Sequence, residues 1–568
     1  MEAQTKSCQN CRKEFTIEPE DFNYYGKIKV PPPTWCPKCR MIRRFACHNG
    51  WSLFYRNCDK CGKRTLSMYT PSQKLTVYCQ PCWWADDWDG TEYGMDYDPS
   101  RPFLEQWKEL SEKTPYSALE TAYLTLKNCD YSNSIAYSKN CMLAIWADNC
   151  ENVFHSSFLN GAKDTADSLG VFSSELSYES LIQRKSCYKV FYSKECEASS
   201  DIWFSRNCYG SMNCVGCANL RGASYRIFNE QYSKEEYFKK FNELKLNTRS
   251  GIEALKKEAE IFWEKLPYRS YSGDTFNLNV TGEITYQSKN SKDLYIVAGA
   301  ENCKWCQFIT FKPVKDCFDY SGWGNNAELI YECFTVGENV NNIKFSGYCW
   351  SDCINTEYSL WCITAKNNFG CVNLKRKGHC ILNKEYSKEE YEKLRVKIIE
   401  DMTKNPYVDE QGRAYSYGEF FGVGFSKFAY NNSTANKFFP KTRDEALAES
   451  FTWNDELEWQ PEATTLGKDL PETIAEVDES ILKEVISCIT CDRKYKIGSL
   501  EFDLLRKMNM PLPDRCLKCR EKSRFDKLQK PELYDRVCAK CNNKIRTSYS
   551  SDRSEVVYCE KCYQQEFA

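Results

Sequence analysis

Histidine is almost missing from this chain: His48, His155 and His379 are the three in 568 residues. That scarcity argues against chemistry built on an imidazole base, the commonest proton shuttle of enzymes. His48 follows Cys47 and reads as a surface residue, His155 falls on a repeat strand, and His379 aligns with Tyr225 of an internal copy described below. A phosphate-binding glycine loop, a dinucleotide fingerprint and a nucleophile elbow are also lacking. No enzyme activity and no small-molecule substrate are expected. There is no run of about 18 apolar residues, so no membrane contact is expected. The opening stretch, Met1-Glu-Ala-Gln-Thr-Lys, has no apolar signal region, which makes the cytoplasm the expected location.

Cysteine, by contrast, is abundant, with 34 residues. In a cytosolic chain, Cys-x-x-Cys pairs read as metal ligands rather than disulfides. Four pairs stand near the start: Cys8/Cys11, Cys36/Cys39, Cys58/Cys61 and Cys79/Cys82. Four more stand near the end: Cys488/Cys491, Cys516/Cys519, Cys538/Cys541 and Cys559/Cys562. Each cysteine of the second set lies 480 positions after its counterpart, as do Phe502 after Phe22, and Arg520 and Arg524 after Arg40 and Arg44. This is a duplicated module of 1–82 and 488–568. Two thiolates separated by two residues sit on one knuckle turn, and a second knuckle closes a tetrahedral site. Each module thus predicts two zinc ions, four per chain, and all-thiolate sites with no open position are structural. Spacing favours pairing neighbouring knuckles and leaves interleaved pairing open. Redox dithiols are the competing reading, but such a pair usually occurs singly near a βαβ pattern.

The formal net charge is −2, yet residues 1–82 hold 14 Lys/Arg against 6 Asp/Glu, and 488–562 hold 18 against 11. Basic ends on an acidic body predict either contact with a polyanion or docking of the ends on their own middle. Arg40, Arg43, Arg44, Arg520 and Arg524 are the candidate phosphate contacts to RNA or DNA, with Phe45, Phe54 and Tyr55 as stacking neighbours. The plainer alternative is that these arginines pair with carboxylates. A protein partner is the competing expectation.

The middle repeats a phrase in which a polar pair precedes a cysteine: Lys127-Asn-Cys129, Lys139-Asn-Cys141, Asp148-Asn-Cys150, Lys185-Ser-Cys187, Lys194-Glu-Cys196 and Arg206-Asn-Cys208. The steps are 12, 9, then 9 and 12, so two phrases span about 21 residues. That period suggests a solenoid of stacked β-coils. In the intervening stretch the matching phase holds Ala162 and Leu176, which no metal ligand could become, so these cysteines read as core. A second copy follows at an offset of 154: Gly216-Cys217-Ala-Asn-Leu220 matches Gly370-Cys371-Val-Asn-Leu374, and Tyr232-Ser-Lys-Glu-Glu-Tyr237 matches Tyr386-Ser-Lys-Glu-Glu-Tyr391. Ser233 with Glu236 reads as a capping box opening a helix that closes each half.

Several phrases, Val30-Pro-x-Pro-x-x-Cys36-Pro-x-Cys39-Arg40, Trp83-Trp-x-Asp-x-Trp-Asp, Tyr-Ser-Lys-Glu-Glu-Tyr and Val557-Tyr-Cys-Glu-Lys-Cys562, resemble an uncharacterised bacterial family of zinc-ribbon proteins with a central cysteine-rich, β-solenoid-like repeat region. The resemblance covers nearly the whole chain. It implies an architecture and no activity. The family's repeats usually carry more cysteines than this chain, which favours packing over metal binding in the middle.

The expected fold is mixed and mainly β. A double zinc-ribbon module (1–82) precedes an acidic-aromatic connector (83–126). Two β-solenoid-like halves follow (127–266 and 267–400), each capped by helix, then an acidic, partly extended connector (401–487) and the second module (488–568).

Overall fold

From Asn128 to Lys185, every third residue has positive φ, whether or not it is glycine. Each is a corner, and the left-handed region costs an ordinary L-residue roughly 1–2 kcal/mol, least for Asn and Gly. This explains the recurrent phrase: Asn128, Asn140, Asn149, Ser186, Glu195 and Asn207 all have positive φ immediately before a cysteine. The residue after the corner is buried and small or aliphatic, as at Ser132, Ile135, Ser138, Cys141, Ala144, Ala147, Cys150 and Val153. The computed structural model describes residues 2–274, 276–455 and 461–567. It is mixed and mostly β, with parallel sheets in the middle and cysteine sets at both ends.

Four such triplets make one rung. Asn133 pairs with Ile145 and Glu151 with Lys163, both parallel and both 12 residues apart. Successive strands enter two sheets alternately: Asn133–Ala136, Ile145–Asp148 and Ser157–Asn160 lie in one, Lys139–Met142, Glu151–Phe154 and Lys163–Ala166 in the other. The repeat is therefore 12 residues, not the 21 expected from the cysteines. Ala162 belongs to the buried column, whereas Leu176 is a corner, with φ of 57°. One extra residue at Lys185-Ser186 shifts the phase, and the register there becomes 13, Glu175 against Tyr188. The second half stacks likewise at offsets of 11 to 14, for example Leu278 with Lys289, Ile354 with Lys366 and Gln307 with Ser321.

Small polar atoms hold the rungs together. Ser156 Oγ accepts the Ser168 N–H (2.9 Å), Ser168 that of Ser180 (3.2 Å), and Ser193 that of Ser205 (3.0 Å). Thiols fill the same role, Cys217 Sγ for Asn229 N and Cys353 Sγ for Ala365 N, both at 3.4 Å. A corner leaves N–H groups that need partners, and these columns supply them. Buried Cys208 behaves as one more column residue, and burial pushes its thiol up to about 12. Cys208→Ala is expected to cost roughly 1–2 kcal/mol in denaturant titration and to release no metal.

The chain divides into two compact units: one of Met1–Leu119, Tyr271–Asp455 and Pro531–Leu533, the other of Glu120–Ser270, Glu456–Lys530 and Tyr534–Ala568. Each module thus shares a unit with a repeat half distant from it in sequence. In the first unit the connector after Cys82 is docked rather than loose. Trp83 is fully buried against Trp361 (5.7 Å between rings), and Asn383 donates to the Gly90 carbonyl (2.9 Å) across the last rungs. In the second unit, Leu470, Ile474, Val477 and Ile481 of the acidic connector are buried in the core. Residues 456–460 of that connector lie outside the described residues. The capping boxes form as expected: Ser233 Oγ accepts the Glu236 N–H (3.2 Å) and Ser387 Oγ that of Glu390 (3.3 Å). They open the helices Lys234–Glu243 and Lys388–Lys404.

Candidate metal centres

The two modules repeat element for element. Hairpins Gln4–Ser7/Glu14–Ile17 and Ile486–Ser487/Lys494–Tyr495 carry the first knuckles at their turns. Helices Pro37–Ala46 and Leu517–Lys527 begin directly after Cys36 and Cys516. Hairpins Phe54–Asn57/Arg64–Ser67 and Tyr534–Val537/Lys544–Thr547 carry the third knuckles. Neighbouring pairs converge: Cys8, Cys11, Cys36 and Cys39; Cys58, Cys61, Cys79 and Cys82; Cys488, Cys491, Cys516 and Cys519; Cys538, Cys541, Cys559 and Cys562. In each set the Sγ atoms lie within 4.8 Å of one another. The interleaved pairing is not what forms.

The spacing suits a metal. Four sulfurs at about 2.3 Å from a central ion stand about 3.8 Å apart at the edges of a tetrahedron. Cys11–Cys36 and Cys61–Cys79 are 3.8 Å apart, Cys541–Cys559 3.7 Å and Cys491–Cys516 3.6 Å. Backbone N–H groups point at the sulfurs: Cys36 N to Cys8, Cys79 N to Cys58 and Cys559 N to Cys538, each at 3.2 Å. Burial opposes ionisation at Cys58 and Cys538, yet these N–H groups outweigh it and hold the thiols down to about 7 and about 6. In the same sets burial and the neighbouring thiols push Cys79, Cys82, Cys559 and Cys562 up, so without a cation one thiolate per set is favoured; each set can hold one metal ion.

The five arginines occupy a different place from the surface expected of them. Arg40, Arg43, Arg44, Arg520 and Arg524 are 0–4% exposed. The helix Pro37–Ala46 turns its guanidiniums onto two stacked rungs: Arg40 Nε donates to Asp319 (2.9 Å), Arg44 to the other oxygen of Asp319 (2.9 Å), and Arg43 to Glu332 (2.9 Å). Asp319 and Glu332 are both corner residues and wholly buried. In the second unit, Arg520 pairs with Asp167 and with Glu501 (2.8 Å), and Arg524 donates to Asp167 (2.7 Å). Burial opposes the Asp167 charge, but Arg520 and Arg524 hold its carboxyl below the usual range. Of the expected stacking residues, Phe45 is buried against Phe308 and Phe438, whereas Tyr55 is exposed with Arg64 over its ring (3.8 Å). His48 is also inside, 2.8 Å from Thr434 Oγ1, and belongs to none of the cysteine sets.

Asp167, Asp319 and Glu332 were not singled out from the sequence, because acidic residues are common and these lie more than 270 positions from their partners. A further missed contact is Gln9, whose amide bonds Ala414 in both directions (3.2 and 2.9 Å), fastening the hairpin Tyr407–Val408/Ala414–Tyr415 to the first knuckle. Gly418 beyond it has a φ of 103°, and a Cβ there would lie 2.3 Å from Pro31 Cγ, so only glycine fits.

His155 adds a pH dependence. Burial, then the charge of Arg524, push it down to about 4, against about 6.5 unfolded. Between those values the unfolded chain binds the extra proton, so stability falls as pH drops from about 6.5 to about 4. A loss of about 3 kcal/mol is expected across that window. It is to be read from denaturant titrations of the chain and of His155→Gln, in which this part of the slope is absent.

No family model matches the chain, and no curated protein is similar to it. The resemblance drawn above rests on its quoted phrases alone. Among the described residues no helix is long and apolar enough to cross a membrane.

Proposed function

We propose that the chain is a non-enzymatic scaffold for a protein partner: two β-solenoid halves, each clamped along its flank by a double zinc-ribbon module. Zinc is the ion assigned to the four sites, because four thiolates in a closed tetrahedron are the donor set of structural zinc. The observation that carries this reading is the fate of the module arginines. Their guanidiniums are spent on Asp167, Asp319 and Glu332 of the repeats. A ribbon that reads phosphate would keep such groups in solvent. The clamp also accounts for the basic ends on an acidic body without invoking a nucleic acid.

The test is a titration of the zinc-loaded full chain with single-stranded RNA and with duplex DNA at about 150 mM salt. The scaffold reading expects nothing tighter than the weak, sequence-independent range, Kd of about 10⁻⁴–10⁻⁶ M. Binding well below about 10⁻⁶ M that falls steeply with salt would overturn it in favour of a nucleic-acid contact.

A further inference from the structure

Between Cys129 and Cys380, every cysteine among the described residues is buried except Cys129, which is half-buried. It lies in the first rung of the first stack, where the column ends: Leu124 nearby is 82% exposed. Its neighbour in the column is Cys141, one rung on. Lys127 pairs in parallel with Lys139, and Cys141 N donates to the Asn128 carbonyl (3.1 Å), so the two cysteines are in register. Adjacent strands stand about 4.8 Å apart, inside the Cα separation of about 4.4–6.8 Å that a disulfide spans. Cys141 is itself buried, 1% exposed, so it can meet only a sulfur already inside the column.

We infer that Cys129 and Cys141 are a thiol-modification site, Cys129 the reactive sulfur and Cys141 the resolving one, with an oxidised low-molecular-weight thiol as the substrate class. The Cys129 thiolate attacks one sulfur of the small disulfide. A mixed disulfide forms and one small thiolate leaves. The Cys141 thiol, losing its proton, then attacks Cys129 Sγ, forms the Cys129–Cys141 bond and expels the second small thiol. Two protein thiols are oxidised and one small disulfide is reduced to two thiols. Cys129 is suited to the first step: the neighbouring Cys141 side chain and N–H hold its thiol down to about 7 despite burial. Cys141 itself is shifted upward by that same contact and by burial, as a resolving thiol must be if it is not to compete. The bond would staple the first rung to the second and close the frayed end of the stack.

The zinc-loaded full chain is treated with limiting oxidised glutathione, digested without reduction and mapped by mass spectrometry, with zinc release followed in parallel. The Cys129–Cys141 cross-linked peptide is expected first, before zinc is released, while Cys208 and Cys362 stay free. Cys141→Ser is expected to trap glutathione on Cys129; serine already stands in this kind of column at Ser168 and Ser180, so the fold tolerates it. Cys129→Ser is expected to lower oxidation in this region at least about tenfold. Zinc release ahead of any cross-link, or a Cys141→Ser protein in which Cys129 stays unmodified, would overturn the inference.

Discussion

Cys516→Ser is expected to release one metal ion from the zinc-loaded chain, leaving three, and to unfold more than its own knuckle. Elemental analysis of the unaltered protein should return four zinc per chain, and two or fewer would remove the premise. Cys516 is one of the four sulfurs of its set and also opens the helix Leu517–Lys527, which carries Arg520 and Arg524 to Asp167. Structural zinc supplies about 10–16 kcal/mol of folding free energy in small peptides, comparable to the whole net stability of an ordinary domain, about 5–15 kcal/mol. Loss of the site therefore frees that helix. The repeats cannot then stand untouched. Phe154, Tyr178, Phe191 and Phe204 of the first stack share one core with Tyr495, Phe502, Leu505 and Met510 of the module. Hydrogen exchange should rise along the strands Glu151–Phe154, Glu175–Tyr178 and Tyr188–Phe191, while Cys538, Cys541, Cys559 and Cys562 keep their ion. Unchanged protection of those strands would show that the module is an appendage rather than a clamp.

The four cysteine sets and the doubled modules were legible because their signal is local: two cysteines on one turn, repeated without insertion 480 residues on. The capping boxes at Ser233 and Ser387 were legible for the same reason. The repeat was half legible. Steps of 12, 9, 9 and 12 are all multiples of three, but cysteine alone marks too few positions of a column that also holds Ser132, Ile135, Ser138, Ala144 and Val153. Neither the helical period of 3.6 nor the strand period of 2 looks for residues spaced by three. The column becomes visible in sequence only when serine, alanine, valine and cysteine are treated as one class, each small enough for the rung. The arginines failed differently. Their types and spacing were read correctly, but what faces them, Asp319 across 279 positions and Asp167 across 353, is set by folding alone. The partial duplication gave no help, since Arg43 has Ser523 as its counterpart and the carboxylates around the two clusters differ.

Asp319→Ala should be among the most damaging single changes outside the cysteines. One carboxylate serves Arg40 and Arg44 at 2.8 and 2.9 Å, all three side chains being at most 1% exposed. Removing it leaves two buried guanidiniums with neutral acceptors (Trp35 O, Ser321, Gln307) and with Glu332, which also holds Arg43, as their remaining carboxylate. Breaking a buried pair from one side costs roughly 3–5 kcal/mol, because a charge is stranded out of water. Here two guanidiniums lose their shared partner, so the loss should reach the top of that range, read as a shift in denaturant midpoint at constant slope. Asp167→Ala should do the same in the other unit through Arg520 and Arg524. Arg40→Met combined with Arg44→Met and Asp319→Leu should recover much of the loss, since apolar groups of similar volume can replace a buried ionic cluster. The same reasoning governs any nucleic-acid experiment. Charge reversal at Arg40, Arg43 and Arg44 would set glutamates against Asp319 and Glu332, so lost RNA binding in that variant would report unfolding rather than a missing phosphate contact. The exposed Arg12, Lys13, Lys63 and Arg64 at the knuckle turns are the positions where reversal tests surface charge without breaking the clamp. If reversal there leaves the stability and the weak RNA affinity unchanged, while Asp319→Ala removes several kcal/mol, the basic character of this module serves its own fold.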